Sequence, residues 1–128
     1  MHRNLYVNAP SVLDRGLGLA LRKGLFLAGQ IVGVEGYMES TAMGVVAALS
    51  MESCLKGGKL PVWPRETAIG SLLHYLSDAR PEKFQPMNVN LGIFPPLEKR
   101  VRSRTERCET VAARAAGAFD AFLASLVA

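Results

Sequence analysis

Hydrophobic positions recur with a helical period in three parts of the chain. Apolar residues in 38–55 recur at intervals of three and four, and Gly57 follows as a plausible stop. Residues 67–77 repeat the pattern with a clear apolar face. A third helix is predicted to start near Ser103, because Ser103 and Glu106 have the spacing of a capping box. The chain is therefore predicted to be mostly helical.

Two shorter apolar runs predict one or two short strands. Residues 5–7 form one run, which Pro10 soon follows. Residues 25–28 form a continuous apolar run, typical of a strand buried on both faces of a parallel sheet. Residues 80–96 contain several prolines and no period, which predicts a long irregular loop of the kind that often carries function.

Composition adds only broad limits. The chain has 128 residues, with 49% hydrophobic and 20% charged residues, which is typical of one globular domain. Its formal net charge of +4 permits a nucleic-acid partner, but net charge alone favours an ordinary, mildly basic protein. Two cysteines predict neither a disulfide framework nor a zinc site, and no metal is expected. No signal peptide or bilayer-spanning apolar stretch is evident, so a cytoplasmic location without membrane attachment is predicted.

The most informative segment lies between the second apolar run and the first long helix. Gly29, Gly33 and Gly36 are spaced through it, and Gln30 adds a side-chain amide. A glycine-rich turn lets a ligand approach the backbone, and the following helix start favours an anion or an electron-rich ring edge. The spacing does not match G-x-G-x-x-G, so spacing alone favours a tight strand-to-helix turn without a ligand.

Residues 26–40 resemble the C-terminal flavin-contacting motif of the GidA-related flavoproteins. Within that group, residues 34–37 resemble the folate-dependent tRNA (uracil-5-)-methyltransferase branch, TrmFO. The other branch typically has a Thr-Thr pair where Val34 and Glu35 stand here. Further stretches that resemble the same branch are residues 1–4, 8–10, 64–68, 73–75 and 84–90.

The resemblance implies an α/β fragment, the C-terminal portion of a GidA-like FAD-binding domain. Residues 1–60 would be its last strand, turn and helix, and residues 61–128 a helical segment packed on it in one folding unit. The family transfers a one-carbon unit from methylenetetrahydrofolate to C5 of a T-loop uridine in tRNA, using reduced FAD and NAD(P)H. The family's dinucleotide-binding glycines and uracil-directed cysteines are not matched here, so the chain alone is expected to be inactive.

Within that resemblance, three groups of residues are candidates for the site. Gly29, Gln30, Gly33 and Gly36 would contact FAD. The second group consists of three amides, which would either hydrogen-bond the backbone of their own loop or face folate: Gln85, Asn88 and Asn90. The third group is a basic run, which is either a solvent-exposed helix start or a surface that binds tRNA phosphates. Its members are Lys99, Arg100, Arg102, Arg104 and Arg107.

Cys54 and Cys108 match no catalytic motif, and no catalytic residue is predicted. His74 is interpreted as a hydrogen-bonded helix residue. Three hypotheses remain open at this point. The first is a truncated or split enzyme, which leaves open whether another chain supplies the missing N-terminal half. The second is a free-standing module that binds RNA or a flavoprotein, and the third is a non-functional remnant that folds poorly.

Overall fold

The computed structural model describes residues 5–128; residues 1–4, which carry part of the resemblance, lie outside this range. Within it the chain is mostly helical, as predicted. The α-helices are α1 (Ala9–Val12), α2 (Tyr37–Leu55), α3 (Ala68–Asp78) and α4 (Arg104–Val127). Short 3-10 turns cover Gln30–Val32, Pro81–Lys83 and Leu91–Ile93.

The two predicted strands do not form within residues 5–128. Residues 5–7 are extended and make one backbone bond, from Val7 N–H to the Ile31 carbonyl at 2.8 Å. Residues 25–28 make only an isolated antiparallel bridge, between Phe26 and Gly18. The prediction of a doubly buried strand there is wrong, because Leu25 is 43% exposed. No neighbouring strand within residues 5–128 covers either face of that run, so a parallel sheet has no counterpart in this range.

A compact turn precedes the glycine-rich segment. Asp14 accepts backbone hydrogen bonds from Gly16 at 2.8 Å and Gly18 at 2.9 Å through one carboxylate oxygen. Leu17, between them, has a φ of 67° and is 1% exposed. The left-handed backbone of a leucine is unfavourable, so the Asp14 bonds and core burial of Leu17 must offset that strain.

The core lies between α1, α2, α3 and the 30–34 segment. Helix α3 presents Leu72, Leu73 and Leu76 to it, as its apolar spacing predicts. The inward face of α2 differs from the one that its apolar residues suggest, because Met38 and Val45 are exposed. The residues that α2 buries are Met43, Val46, Ala47 and Ser50.

Thr67 starts α3 as a buried N-cap. Its hydroxyl oxygen accepts a bond from Gly70 N–H at 3.0 Å and donates to the Pro64 carbonyl at 2.7 Å. Gly70 also has to be glycine, because a Cβ there would overlap the Pro64 carbonyl. The cap and this close approach together fix the angle at which residues 61–66 enter the helix.

Helix α4 starts as the capping box predicts, with Ser103 Oγ accepting from Glu106 N–H at 3.4 Å. Only Val111 and Phe122 are buried along its length. Phe122 packs on Trp63, with ring centroids 4.5 Å apart, and Arg114 donates to the Pro95 carbonyl at 2.7 Å and the Pro96 carbonyl at 3.1 Å. These contacts attach a largely exposed helix to the rest of the domain.

Contrary to the expectation that no apolar stretch is long enough to span a bilayer, α4 has the length and composition to do so. Its most apolar 18-residue window is 11% buried. One such helix is weak evidence for a membrane span. The packing of Phe122 on Trp63 and the Arg114 bonds give part of its surface a partner within the domain.

Candidate functional site

Gly29 opens the glycine-rich turn in a backbone conformation that other residues rarely adopt. Its φ is 83° and its ψ is −156°, and a Cβ built there would meet nothing within 4 Å. Gln30 follows as the exposed first residue of the 3-10 turn. Gly29 therefore combines a conformation essentially restricted to glycine with open space in front of it, which is what close approach of a flat ligand requires.

Gly33 and Gly36 differ from Gly29 because side-chain atoms occupy the space of a Cβ at each of them. Gly33 has a φ of 98°, and the ring of Phe84 fills the place that a Cβ would occupy. Gly36 has a φ of 109°, and the Glu39 carboxylate crowds its Cβ position. Both glycines are therefore needed to close the turn tightly, and only Gly29 of the three faces open space.

The start of α2 is exposed and lacks a side-chain cap. Gly36 is its N-cap residue and offers no side-chain acceptor. Tyr37 is 95% exposed and Met38 is 83% exposed. Within residues 5–128, no acceptor meets the N–H groups of Tyr37, Met38 or Glu39. Free N–H groups and the helix dipole make this end a place that stabilises negative charge.

The proline-rich loop packs beside this turn. Met87 forms a parallel bridge with Val34, in which Glu35 N–H donates to the Met87 carbonyl at 3.0 Å. Met87 N–H in turn donates to the Gly33 carbonyl at 3.1 Å. Glu39 Oε1 accepts from Val89 N–H at 3.1 Å. The structure therefore brings together two candidate groups that lie about fifty residues apart in sequence.

The three amide side chains of that loop have different surroundings. Asn90 is engaged locally, since its Oδ1 accepts from Gly92 N–H at 2.9 Å and its Nδ2 donates to the Asn88 carbonyl at 3.0 Å. Gln85 and Asn88 are exposed. The Gln85 backbone is held by the Tyr75 hydroxyl, which donates to its carbonyl at 2.7 Å. Asn90 thus caps its own turn, and the other two amides point to solvent-accessible positions.

The basic run lies at the end of the loop and along the first turns of α4. None of its members forms an ion pair with another residue in the described part of the chain. Glu106, inside the run, contributes its backbone N–H to the helix cap. The exposed cations of the run are Lys99, Arg100, Arg102, Arg104 and Arg107.

The remaining reactive side chains form no catalytic cluster. Cys54, late in α2, and Cys108, early in α4, are both exposed. His74 lies within 3.1 Å of Asp78 on α3, as its interpretation as a hydrogen-bonded helix residue requires. No group of His, Cys, Asp and Glu among residues 5–128 has the arrangement of a metal site.

Sequence reasoning missed two residues that shape the site. Phe84 fills the space against Gly33 and stacks on Tyr75 with ring centroids 5.7 Å apart. Glu39, in the first turn of α2, holds the loop by accepting from Val89 N–H. Nothing in the local spacing indicates either contact, because each joins segments far apart in the chain.

Comparisons with known proteins agree on one family. The model described as "Glucose inhibited division protein A" matches residues 1–59, the part that contains the turn and α2. The chain is 49% identical over 118 residues to methylenetetrahydrofolate–tRNA-(uracil-5-)-methyltransferase TrmFO of Listeria monocytogenes, covering 92% of this chain and 27% of that protein.

Two further relatives carry the same name. The identity is 46% over 127 residues for the Pelotomaculum thermopropionicum protein, covering 99% of this chain and 29% of the relative. It is 53% over 124 residues for the Desulforudis audaxviator protein, covering 96% and 28%. The chain therefore spans little more than a quarter of the length of the curated relatives it matches.

Proposed function

Since the chain belongs to the GidA-related family that contains the TrmFO proteins, we propose that it is the C-terminal, flavin-facing part of a methylenetetrahydrofolate-dependent tRNA (uracil-5-)-methyltransferase. The reaction would transfer a one-carbon unit to C5 of a T-loop uridine in tRNA. FAD bound by the whole enzyme would supply the reducing electrons, with NAD(P)H as their source. The dinucleotide-binding glycines and the uracil-directed cysteines would come from the remaining part of the enzyme, so this chain alone would be inactive.

The proposal depends on two features that lie seven residues apart in sequence: the open Cβ position of Gly29 and the uncapped start of α2 at Gly36. The flavin ring is flat, and its pyrimidine edge gains negative charge on reduction. Gly29 lets such a ring approach, because no atom lies within 4 Å of its Cβ position. The free N–H groups of Tyr37 and Met38 would stabilise the charge at that edge. The residues present therefore fit a flavin.

The chain's own residues would bind and orient the flavin. Gln30 is exposed next to Gly29, so its side-chain amide is available to hydrogen-bond a ring edge. Gly33 and Gly36 would keep the turn closed. Glu39, in the first turn of α2, accepts from Val89 N–H through Oε1, and its carboxylate also lies against Gly36; the N–H groups of Tyr37 and Met38 still have no acceptor among residues 5–128.

Folate would be placed next to the flavin by the proline-rich loop. The backbone of the loop is attached to the turn by the Val34–Met87 bridge, which places Gln85 and Asn88 on either side of that attachment. Gln85 and Asn88 would read the amide-like edge of a pterin. Asn90 would act only through the loop, because its own amide caps the Leu91–Ile93 turn.

The tRNA would meet the exposed basic run at the start of α4. Its five cations have no acidic partner among the described residues, and the Arg114 bonds to residues 95 and 96 anchor the helix that carries it. Clustered cations of this kind bind backbone phosphates and make affinity depend on salt. A cytoplasmic location would follow from the substrate.

A chimera tests the proposal. This chain would replace the matching segment of the Listeria monocytogenes relative, with which it is 49% identical. We expect the purified chimera to be yellow and to form 5-methyluridine in unmodified tRNA only when methylenetetrahydrofolate is added. The matched control is the native relative prepared in the same way. A folded, flavin-containing chimera that methylates no tRNA would refute the proposed reaction, whereas a colourless folded chimera would refute the flavin contact.

A further inference from the structure

A second cationic surface lies away from the basic run, in a cleft between the end of α3 and the Leu91–Ile93 turn. The cleft encloses about 400 Å³, enough for a phosphodiester group and part of its sugar. Helix α3 contributes His74, Tyr75 and Asp78 to its lining, and Gly92 and Ile93 of the Leu91–Ile93 turn also line it. Three cations line it: Arg65, Arg80 and Lys83.

The positive charge of this cleft is not neutralised by its one carboxylate. Asp78 lies 3.1 Å from His74 Nδ1 and 3.5 Å from the Arg15 guanidinium, so both of its oxygens have a cationic or hydrogen-bonding partner. Arg65, Arg80 and Lys83 form no ion pair with any residue in 5–128. With three cations and one carboxylate in its lining, the cleft keeps an excess of two positive charges, and none of the three cations is paired with that carboxylate.

The local fold holds these cations in place. The Arg65 carbonyl accepts from Ser71 Oγ at 2.6 Å, and Ser71 is fully buried. Arg80 precedes the Pro81–Lys83 turn and Lys83 ends it, with Lys83 N–H donating to the Arg80 carbonyl at 3.0 Å. That turn is fastened to α1, because Asn8 Nδ2 donates to the Pro81 carbonyl at 2.8 Å. These bonds fix the backbone at the three cations, so only their side chains lose conformational freedom when an anion binds.

Resting on the proposed function, we propose that this cleft binds backbone phosphates of the RNA substrate at a site separate from the basic run. Two guanidinium groups favour phosphate, because their planar forks bind its oxygens in pairs. Three cations spread along an open cleft suit a chain of phosphates better than a single oxyanion. The alternative, that Arg80 and Lys83 only complement the C-terminal end of α3, does not involve Arg65, which precedes that helix.

The test measures tRNA binding by this chain over a range of salt concentrations. Fluorescence anisotropy with labelled, unmodified tRNA would compare the wild type with Arg65→Gln/Arg80→Gln/Lys83→Gln. The control is Arg22→Gln/Lys23→Gln/Lys59→Gln, whose cations are also exposed and without an ion pair among residues 5–128. Each triple substitution removes three charges from a net charge of +4.

The cleft variant is expected to flatten the slope of log affinity against log salt by about 2 to 3, since each phosphate contact contributes about 0.7 to 0.9. Its loss of affinity between about 50 and 200 mM salt should accordingly be roughly 20- to 60-fold smaller than that of the wild type. The control should retain most of the wild-type slope. Equal changes in the two variants, or no change in either, would overturn the proposal.

Two further measurements remove ambiguity. If the triple cleft variant does not fold by circular dichroism, Arg65→Gln and Lys83→Gln are measured singly; each should reduce the slope by about 1, and two unchanged slopes would overturn the proposal. In the second measurement, NADPH is added to the tRNA complexes of the wild type and of the cleft variant. Displacement of tRNA from the wild type but not from the cleft variant would assign the cleft to a cofactor phosphate and overturn the proposal. A cleft that binds RNA in a chimera without methyltransferase activity would refute the proposed function alone.

Discussion

Replacing Gly33 with alanine tests how the glycine-rich turn is closed. Gly33 has a φ of 98°, and its missing Cβ leaves room for the Phe84 ring. Alanine would introduce a backbone cost and a steric cost at one position. Because Gly33 is also the residue to which Met87 N–H donates, at 3.1 Å, the substitution acts where the proline-rich loop joins the turn.

The two costs can be estimated separately. A left-handed backbone costs a non-glycine residue about 1–2 kcal/mol. Overpacking against a buried ring costs about 1–3 kcal/mol, and Phe84 is 7% exposed and cannot easily move away. The Gly33→Ala variant should therefore lower the free energy of unfolding by about 2–5 kcal/mol.

Urea unfolding of the chain, followed by circular dichroism, measures the effect. Gly44→Ala is the matched control, because Gly44 lies inside α2 with nothing within 4 Å of its Cβ position. It should raise the free energy of unfolding by about 0.5–1 kcal/mol. In the double variant Gly33→Ala/Phe84→Ala the steric cost should vanish. Its loss in free energy of unfolding should therefore be smaller than the sum of the losses in the two single variants. A Gly33→Ala variant as stable as the wild type would refute this account of the turn.

Three other substitutions probe the connections around the site. Thr67→Ala should cost about 1–2 kcal/mol in urea unfolding, with Thr67→Ser largely restoring it, because the buried hydroxyl caps α3; equal losses in both variants would contradict that role. Phe122→Ala removes the stacking on Trp63 and should speed amide exchange throughout α4 while leaving α2 unchanged; uniform acceleration would contradict a separately attached helix. Glu39→Ala should speed exchange of the Val89 amide, whereas Glu39→Gln should preserve its protection; identical exchange in the two variants would exclude the side-chain bond.

The helices could be predicted from the sequence because their signals are local. The predicted segments 38–55 and 67–77 differ from α2 and α3 by one residue at either end at most. Ser103 was expected to start the last helix and does so. Apolar periodicity and capping motifs involve residues only a few positions apart, so they can be recognised without knowledge of the tertiary structure.

The strands and the inward face of α2 could not be predicted in the same way. A continuous apolar run becomes a strand only if neighbouring strands pair with it, and residues 25–28 have none within the described range. The side of α2 that is buried depends on where α3 and the 30–34 segment lie. Met43 and Ala47 face them, while Val45 stays exposed although it is equally apolar.

The site was predicted in its parts but not in its assembly. Three glycines and an exposed helix start follow from the motif between residues 29 and 37. That Gly29 alone faces open space, and that Phe84 and Glu39 hold the proline-rich loop against the turn, depends on contacts between distant segments. Spacing along a chain carries no information about such contacts.

The most direct test of the flavin assignment is amide hydrogen exchange at the start of α2 in the chimera, with and without FAD. The N–H groups of Tyr37, Met38 and Glu39 have no acceptor within residues 5–128, so they should exchange rapidly in the flavin-free protein. Bound flavin should slow exchange at these three amides and at Gln30. Unchanged exchange at these positions, with protection by FAD elsewhere in the chimera, would contradict the claim that this helix start faces the flavin ring.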